Sequence, residues 1–286
     1  MWAVTGRILV TGATGHLGRR VAERAAKVGW DVIGTCFTAA GDADECLDIR
    51  DPAAVLRLMQ RVRADIVVHT AAGREDWRAM ADGAAHVAVA AAALGVRLVH
   101  VSSDAVFSGA EIDYDETALP DPVYRYGSAK AAAETAVKAI TPNAAIVRTS
   151  LILGDGRGGH EILTHRLASG EGEDVLFTDE IRKPVHVDDL ADSLLELAAN
   201  GYAGVINVAG RDAISRYDLG VLVARRDGLN PDRLPAGTIA GLRLRRPADV
   251  RLHTGKATSL LRTRLRGACE FLTVKPTEAS TDPAVE

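Results

Sequence analysis

Gly12, Gly15 and Gly18 follow directly on an apolar segment, Arg7–Thr11 (RILVT), and lead into helical periodicity across Leu17–Val28. Few folds accept a strand that ends in a GxxGxxG turn and enters a helix. Glycine lets the backbone turn tightly and approach a ligand closely. The helix that follows offers unsatisfied N–H groups and the positive end of its dipole. The triplet alone is a weak signal, but between a first strand and a first helix it predicts a cradle for the pyrophosphate of a dinucleotide.

The rest of the chain agrees with that frame. Short apolar strands are predicted at Asp31–Thr35, Asp65–Thr70, Arg97–Ser102 and Ala145–Thr149, with helices over Asp51–Val62, Trp77–Leu94 and Ser128–Ile140 between them. Strands that are apolar throughout and separated by helices predict a parallel sheet covered on both faces. The fold class is therefore α/β, a Rossmann-type doubly wound parallel sheet. After Ser150 the regularity weakens into a smaller C-terminal substrate-binding part, assigned to 151–184 and 211–272. Residues 1–150 form the dinucleotide-binding domain, with 185–210 returning to it. Within 185–210 a helix over Asp188–Ala199, capped by Asp188, precedes a strand at Val205–Ala209. Ser215-Arg-Tyr-Asp218 reads as a capping box that opens a helix reaching Arg226. Residues 273–286 have the composition of a disordered tail.

Bulk properties exclude several functions. The 286 residues carry a net charge of −4 without a basic tract, which argues against nucleic acid as a partner. No apolar run is long enough for a membrane span. Cys36, Cys46 and Cys269 lack metal or CxxC spacing and read as reduced thiols, so a cytoplasmic protein is expected. His160 and His165 are five apart, which on a helix turns them away from one another, so no zinc motif and no metal site is predicted. No GxSxG elbow supports hydrolase chemistry.

The cofactor follows from the glycine turn. The second strand ends in Thr35-Cys36-Phe37-Thr38, without the carboxylate that holds the ribose hydroxyls in NAD-preferring proteins. NADP is therefore preferred over NAD, with His16 and Arg19 available as positive charge. Asp48 lies where an adenine amino group could be read.

Tyr126 and Lys130 (YGSAK) stand at i and i+4, on one face of a helix. A tyrosine with a pKa of about 10 is a poor proton donor and acceptor at neutral pH, and a neighbouring ammonium lowers it, each unit corresponding to about 1.4 kcal/mol. The order is informative: glycine turn, then a strand ending in Ser102-Ser103, then YxxxK on the next helix. This is carbonyl/alcohol redox machinery.

On these residues the chain resembles extended short-chain dehydrogenases/reductases, and within them the dTDP-4-dehydrorhamnose reductases. The matching segments are VTGATGHLG (10–18), HTAA (69–72), VSSDAVFSG (101–109), YGSAK (126–130), VRTSLILG (147–154), RKPVHVDDLAD (182–192) and RRPADVRL (245–252). The resemblance implies that Ser103 hydrogen-bonds the substrate carbonyl, Tyr126 passes a proton to its oxygen, and Lys130 grips the nicotinamide ribose. It places cofactor contacts at Gly12, Thr14, Gly15, His16, Leu17, Gly18, Cys36, Asp48, Ile49, Thr70, Ala71 and Ala72, together with Tyr126 and Lys130. It places substrate contacts at Asp104, Thr149, Ser150, Leu151, Lys183 and Arg246, with Arg182 beside them, and a nucleotide sugar as substrate. A homodimer is compatible with this reading. Dehydration is disfavoured, because Ser103-Asp104-Ala105 lacks the glutamate of the dehydratases. Two positions depart from the family: Met80-Ala-Asp-Gly83 replaces an Asn-x-x-Gly, and Leu151 stands where the reductases usually carry Trp. A non-catalytic cofactor-binding regulator, resembling the regulatory subunit of methionine adenosyltransferase, is a second reading. A reductase of a non-nucleotide carbonyl in natural-product biosynthesis is a third.

Overall fold

A computed structural model of the chain describes residues 6–38, 43–73, 75–243 and 245–273, so most of the predicted tail lies outside the described residues. The first half alternates as β1 (Arg7–Thr11), α1 (His16–Lys27), β2 (Asp31–Cys36), β3 (Glu45–Cys46), α2 (Pro52–Val62), β4 (Ile66–His69), α3 (Gly83–Leu94) and β5 (Arg97–Val101). There follow β6 (Asp113–Tyr114), α4 (Arg125–Ile140), β7 (Ala145–Thr149), β8 (Ile152–Leu153), α5 (Gly159–Ala168), β9 (Leu176–Phe177), β10 (Ile181–Arg182), β11 (Val185–His186), α6 (Val187–Asn200) and β12 (Gly204–Val208). The remainder is β13 (Ile214–Ser215), α7 (Arg216–Arg226), β14 (Ala236–Gly237), β15 (Arg251–Leu252), α8 (Gly255–Leu260) and α9 (Ala268–Phe271).

Local chemistry explains the helix boundaries. Asp51 caps α2 by accepting from the amides of Ala53 and Ala54, and Pro52 sits where its missing N–H costs nothing. Ser215 caps α7 by accepting from the Asp218 amide and donating to its carboxylate, as the Ser-Arg-Tyr-Asp pattern predicts. The expected cap at Asp188 is corrected. α6 starts one residue earlier, and the His186 ring accepts from the Asp188 amide at 3.0 Å. The Asp188 carboxylate is drawn instead to Arg20 and Arg24 on α1, whose charge outcompetes a backbone amide. The helix expected from Trp77 begins with a π turn over Arg78–Asp82 before α3. One wide turn barely shifts the apolar periodicity, so the sequence pattern does not register it.

Seven parallel strands pair in the order β12-β7-β5-β4-β1-β2-β3. One face packs on α1 and α6 through Leu17, Val21, Leu190 and Leu194. The other packs on α2, α3 and α4 through Leu58, Val87, Ala133 and Val137. Strand order reverses between β1 and β4, and in sheets of this kind the ligand crevice lies beyond the carboxyl ends of the strands at that reversal. Residues 204–208 rejoin the sheet beside β7. The segments between are held by two-stranded ladders, β8 with β11, β10 with β13, β9 with β14 and β6 with β15.

Candidate active site

The crevice is built around the glycine turn. Gly12 has φ +72°, and a Cβ there would lie 2.8 Å from the Cα of Ala71. A Cβ on Gly18 would lie 2.1 Å from the Gly12 carbonyl, so α1 can approach β1 only with glycine at that position. Gly15 is the N-cap of α1; it has no side chain to satisfy the first amides, and the first turn carries no carboxylate. An anion is the natural acceptor for those amides. Thr70 Oγ1 donates to the Thr11 carbonyl at 2.7 Å, and Thr11 Oγ1 shares a 2.7 Å hydrogen bond with His69 Nδ1, holding the ends of β1 and β4 together. Burial pushes the His69 ring down to about 3, so it stays neutral.

These residues wall a cavity of about 340 Å³. Of the positions expected to touch cofactor, Gly12, Thr14, Gly15, Cys36, Asp48, Ile49, Thr70, Ala71 and Ala72 line it. Leu17 instead faces the core, and Gly18 supports the turn from behind. His16 Nε2 and the Arg19 guanidinium are both taken by Asp155, at 2.7 and 2.9 Å. Thr35, Phe37, Arg50 and Asp76 also line the cavity, and sequence reasoning missed them. Arg50 holds the Asp48 carboxyl below the usual carboxylate range. The Arg50–Asp48 spacing of two residues was the available signal. The bare helix start and the glycine cradle fit a dinucleotide.

The catalytic candidates meet at the carboxyl ends of β5 and β7. Ser103 follows β5 in an extended conformation and opens a short 3-10 turn, Asp104–Val106. Its Oγ accepts from the Ala105 amide and donates to Asp104 Oδ1, each at 3.2 Å. Asp104 is buried, which pushes its carboxyl up; it accepts from Ser150 Oγ at 2.6 Å and faces Arg182 at 3.8 Å. Tyr126 is half-buried in the first turn of α4. One turn on, Lys130 is 5% exposed and donates Nζ to the Val101 carbonyl at 3.0 Å. Burial pushes this ammonium down to about 8, against the opposing charge of Glu134. Gly127, between the two, allows α4 to press on the Ser103 turn, since a Cβ there would lie 2.0 Å from the Ala105 carbonyl. The ring of Tyr124 stacks 6.3 Å from that of Tyr126, and burial with the nearby Asp104 charge pushes its hydroxyl up to about 12. Tyr124 therefore stays protonated.

The substrate candidates divide. Thr149 is buried at the end of β7, and its Oγ1 makes no hydrogen bond among the described residues. Leu151 packs against the apolar cluster of Leu153, Leu219 and Val223. Lys183 Nζ is held by the Leu252 carbonyl at 3.0 Å. Arg182 is buried and donates to the carbonyls of Pro247 and Ala248. Arg246 lies over the Phe177 ring and 3.6 Å from Glu180. Arg216, which sequence reasoning missed, has its pKa lowered by burial, with Glu180, Arg246, Arg182 and Asp104 around it. Met80 is buried within the π turn. His160 is buried, whereas His165 bonds Asp227 at 2.7 Å, so the two rings occupy different surroundings.

A doubly wound parallel sheet with a glycine turn at its reversal, a serine closing β5 and YxxxK on the next helix defines an extended short-chain dehydrogenase/reductase. The chain belongs to the RmlD substrate binding domain family, whose model matches residues 6–270. It is 35% identical over 245 residues to a dTDP-4-dehydrorhamnose reductase of Mycobacterium tuberculosis, covering 80% of this chain and 78% of the relative. Methionine adenosyltransferase 2 subunit beta of Xenopus laevis is 30% identical over 237 residues, covering 76% and 71%. The crystal structure of dTDP-4-dehydrorhamnose reductase from Bacillus anthracis in complex with NADP superposes with a TM-score of 0.80 at 25% identity, covering 93% of this chain and 97% of that one. No described helix is long and apolar enough to cross a membrane.

Proposed function

We propose that the chain is an NAD(P)H-dependent reductase of a keto group on a nucleotide-activated sugar, similar in activity to the dTDP-4-dehydrorhamnose reductases. The observation that carries the reading is the clamp at Gly127, which fixes Tyr126 and Lys130 on α4 against the turn bearing Ser103. A nicotinamide cofactor held by the glycine turn would supply the hydride for the carbonyl carbon. Ser103 Oγ donates a hydrogen bond to the carbonyl oxygen, polarising it. The Tyr126 hydroxyl gives its proton to that oxygen, and the buried Lys130 ammonium stabilises the phenolate left behind. Solvent returns the proton to Tyr126. Asp104, fixed by Ser150, presents a carboxyl beside Ser103 to a sugar hydroxyl. Arg182, Arg216 and Arg246 outnumber Glu180 and Asp104 on the substrate side, which favours an anionic substrate such as a sugar carrying a diphosphate.

The same reading takes NADPH as the preferred donor, since β2 ends in Cys36 without a carboxylate. It is compatible with a homodimer, and with the cytoplasm, where Cys36, Cys46 and Cys269 would remain thiols. Oxidation of NADPH and NADH against a panel of nucleoside-diphosphate 4-keto sugars tests the function. Tyr126→Phe should abolish turnover, by about 100-fold or more, while cofactor binding persists; full turnover by the variant would overturn the mechanism. Buried Met80, where the family carries a relay asparagine, favours one competing reading, a cofactor-binding regulator. Tight NADPH binding with no turnover of any keto sugar would select it.

A further inference from the structure

The end of β2 lacks a carboxylate, yet the cavity does not. Asp48 and Asp76 both line it, from the loops after β3 and β4, alongside Cys36 and Phe37 where the adenosine ribose is read. Among the described lining residues the one cation is Arg50. Its guanidinium forks onto Asp48, with Nε and Nη2 each donating at 2.8 Å, and reaches Asp76 through Nη1 at 3.0 Å. Its Cζ lies over the Phe37 ring, 4.7 Å from the centroid. All three charged side chains are about one-third exposed, at 32%, 39% and 37%, so they are placed at the rim and can meet a ligand.

We propose that Arg50 sets the cofactor preference of this cleft, admitting a 2′-phosphate by bonding to the two carboxylates and offsetting part of the charge that would otherwise repel it. The inference rests on the reading of the cleft as a dinucleotide site. With Arg50 present the three side chains carry one net negative charge, and its three bonds to Asp48 and Asp76 leave two of the five guanidinium N–H groups for a phosphate. Without it, Asp48 and Asp76 lose the guanidinium that bonds both, and the charge of Arg78 still acts on Asp48 alone. The two carboxylates accept from a 2′-hydroxyl and repel a 2′-phosphate. Removing Arg50 should therefore convert a site that takes NADPH into one that takes NADH. Removing the charge of Asp76 should move it the other way, because Arg50 then has a single carboxylate to satisfy. Asparagine at 76 keeps the oxygen that accepts from the Ala79 amide, so that hydrogen bond is retained.

The test uses the purified full chain and calorimetric binding of 2′,5′-ADP and 5′-AMP, which differ in the 2′-phosphate alone. NADPH and NADH serve as whole-cofactor probes. For Arg50→Gln we expect 2′,5′-ADP to weaken roughly 10- to 100-fold, with 5′-AMP changed by no more than about threefold. Asp76→Asn should tighten 2′,5′-ADP severalfold and leave 5′-AMP where it was. Equal loss of both nucleotides in Arg50→Gln would reduce Arg50 to a packing role and overturn the proposal. So would an Asp76→Asn variant whose ratio of the two affinities does not move, and this second variant decides the matter if Arg50→Gln fails to fold. Wild-type protein that binds neither NADPH nor NADH would bring down the cofactor reading itself, a different outcome from an unaltered ratio.

Discussion

Position 127 admits no side chain, because the Ala105 carbonyl lies 2.0 Å from where a Cβ would stand. Gly127→Ala must push α4 away from the turn that carries Ser103, so its cost falls unevenly. Relief of such a clash costs about 1–3 kcal/mol, a fraction of the 5–15 kcal/mol that keeps a domain folded. A displacement of 1 Å between reacting groups can cost about 100-fold in rate. We expect Gly127→Ala to remain folded by circular dichroism, with Tm a few degrees lower, and to lose about two orders of magnitude in kcat. Wild-type turnover in that variant would show that α4 and the Ser103 turn need not touch.

Lys130 gives a pH signature at the same scale. Its folded value of about 8 lies below the 10.5 of the free side chain, because burial disfavours the ammonium. The unfolded chain therefore binds more protons between those values, and the stability contribution of this group rises with pH across that window. Catalysis runs the opposite way, since the ammonium that supports the Tyr126 phenolate is lost as pH climbs through about 8. The kcat/KM for the cofactor, which reports the free enzyme, should fall above that pH while Tm holds or rises. A profile flat to pH 10 would show that the proton on Lys130 is not needed.

Among the elements, α4 is tied to the sheet by charge as well as by apolar packing. Glu134 on α4 and Arg148 on β7 are 6% and 3% exposed in their side chains and pair through both carboxylate oxygens. Ser102 Oγ adds a 2.5 Å bond to the same carboxylate, and the Arg148 guanidinium lies over Phe107 and donates to the Ala118 carbonyl. Breaking one side strands a charge in the core. Arg148→Met should cost about 3–5 kcal/mol in denaturant unfolding, and the double substitution Glu134→Leu with Arg148→Met should recover most of that loss. Additive losses in the double variant would show that the pair is not coupled.

This pair also marks what the sequence could tell. The bounds of β1 and β7, the α7 cap and the order of motifs were legible, because they follow from apolar periodicity and from hydrogen bonds within a few residues. Glu134–Arg148, Asp155 on His16 and Arg50 across Phe37 were not. Each joins residues or loops that only the closed sheet brings together, and a charged side chain on a helix reads as solvated until its partner is known. The cap at Asp188 failed for the same reason, as its carboxylate had Arg20 to meet from far away in sequence.

At the scale of the whole molecule, the sheet that bears the cleft depends on α6 and β12, which return to it between residues 151–184 and 211–272. α6 buries Val187, Leu190, Leu194, Leu195 and Leu197 in the apolar cluster over β4, β5 and β7. Each such side chain contributes about 1.5–3 kcal/mol when buried, a sum comparable to the whole stability of a domain, about 5–15 kcal/mol. Arg97 on β5 donates to the carbonyls of Leu197, Ala198 and Tyr202, and so closes the end of α6. Arg20 and Arg24 on α1 bind Asp188 and Asp192 on α6, and β12 pairs with β7 along its full length. A fragment of residues 1–184 retains the glycine turn, Arg50, Ser103, Tyr126 and Lys130, but one face of its sheet keeps α1 alone and loses the apolar side of α6. We expect it to lack cooperative thermal unfolding and to bind neither 2′,5′-ADP nor NADPH, whereas the full chain unfolds in a single transition. A fragment that folds and binds nucleotide would show that the glycine-turn half is autonomous, and that the return of α6 and β12 adds stability to a cleft already formed without them.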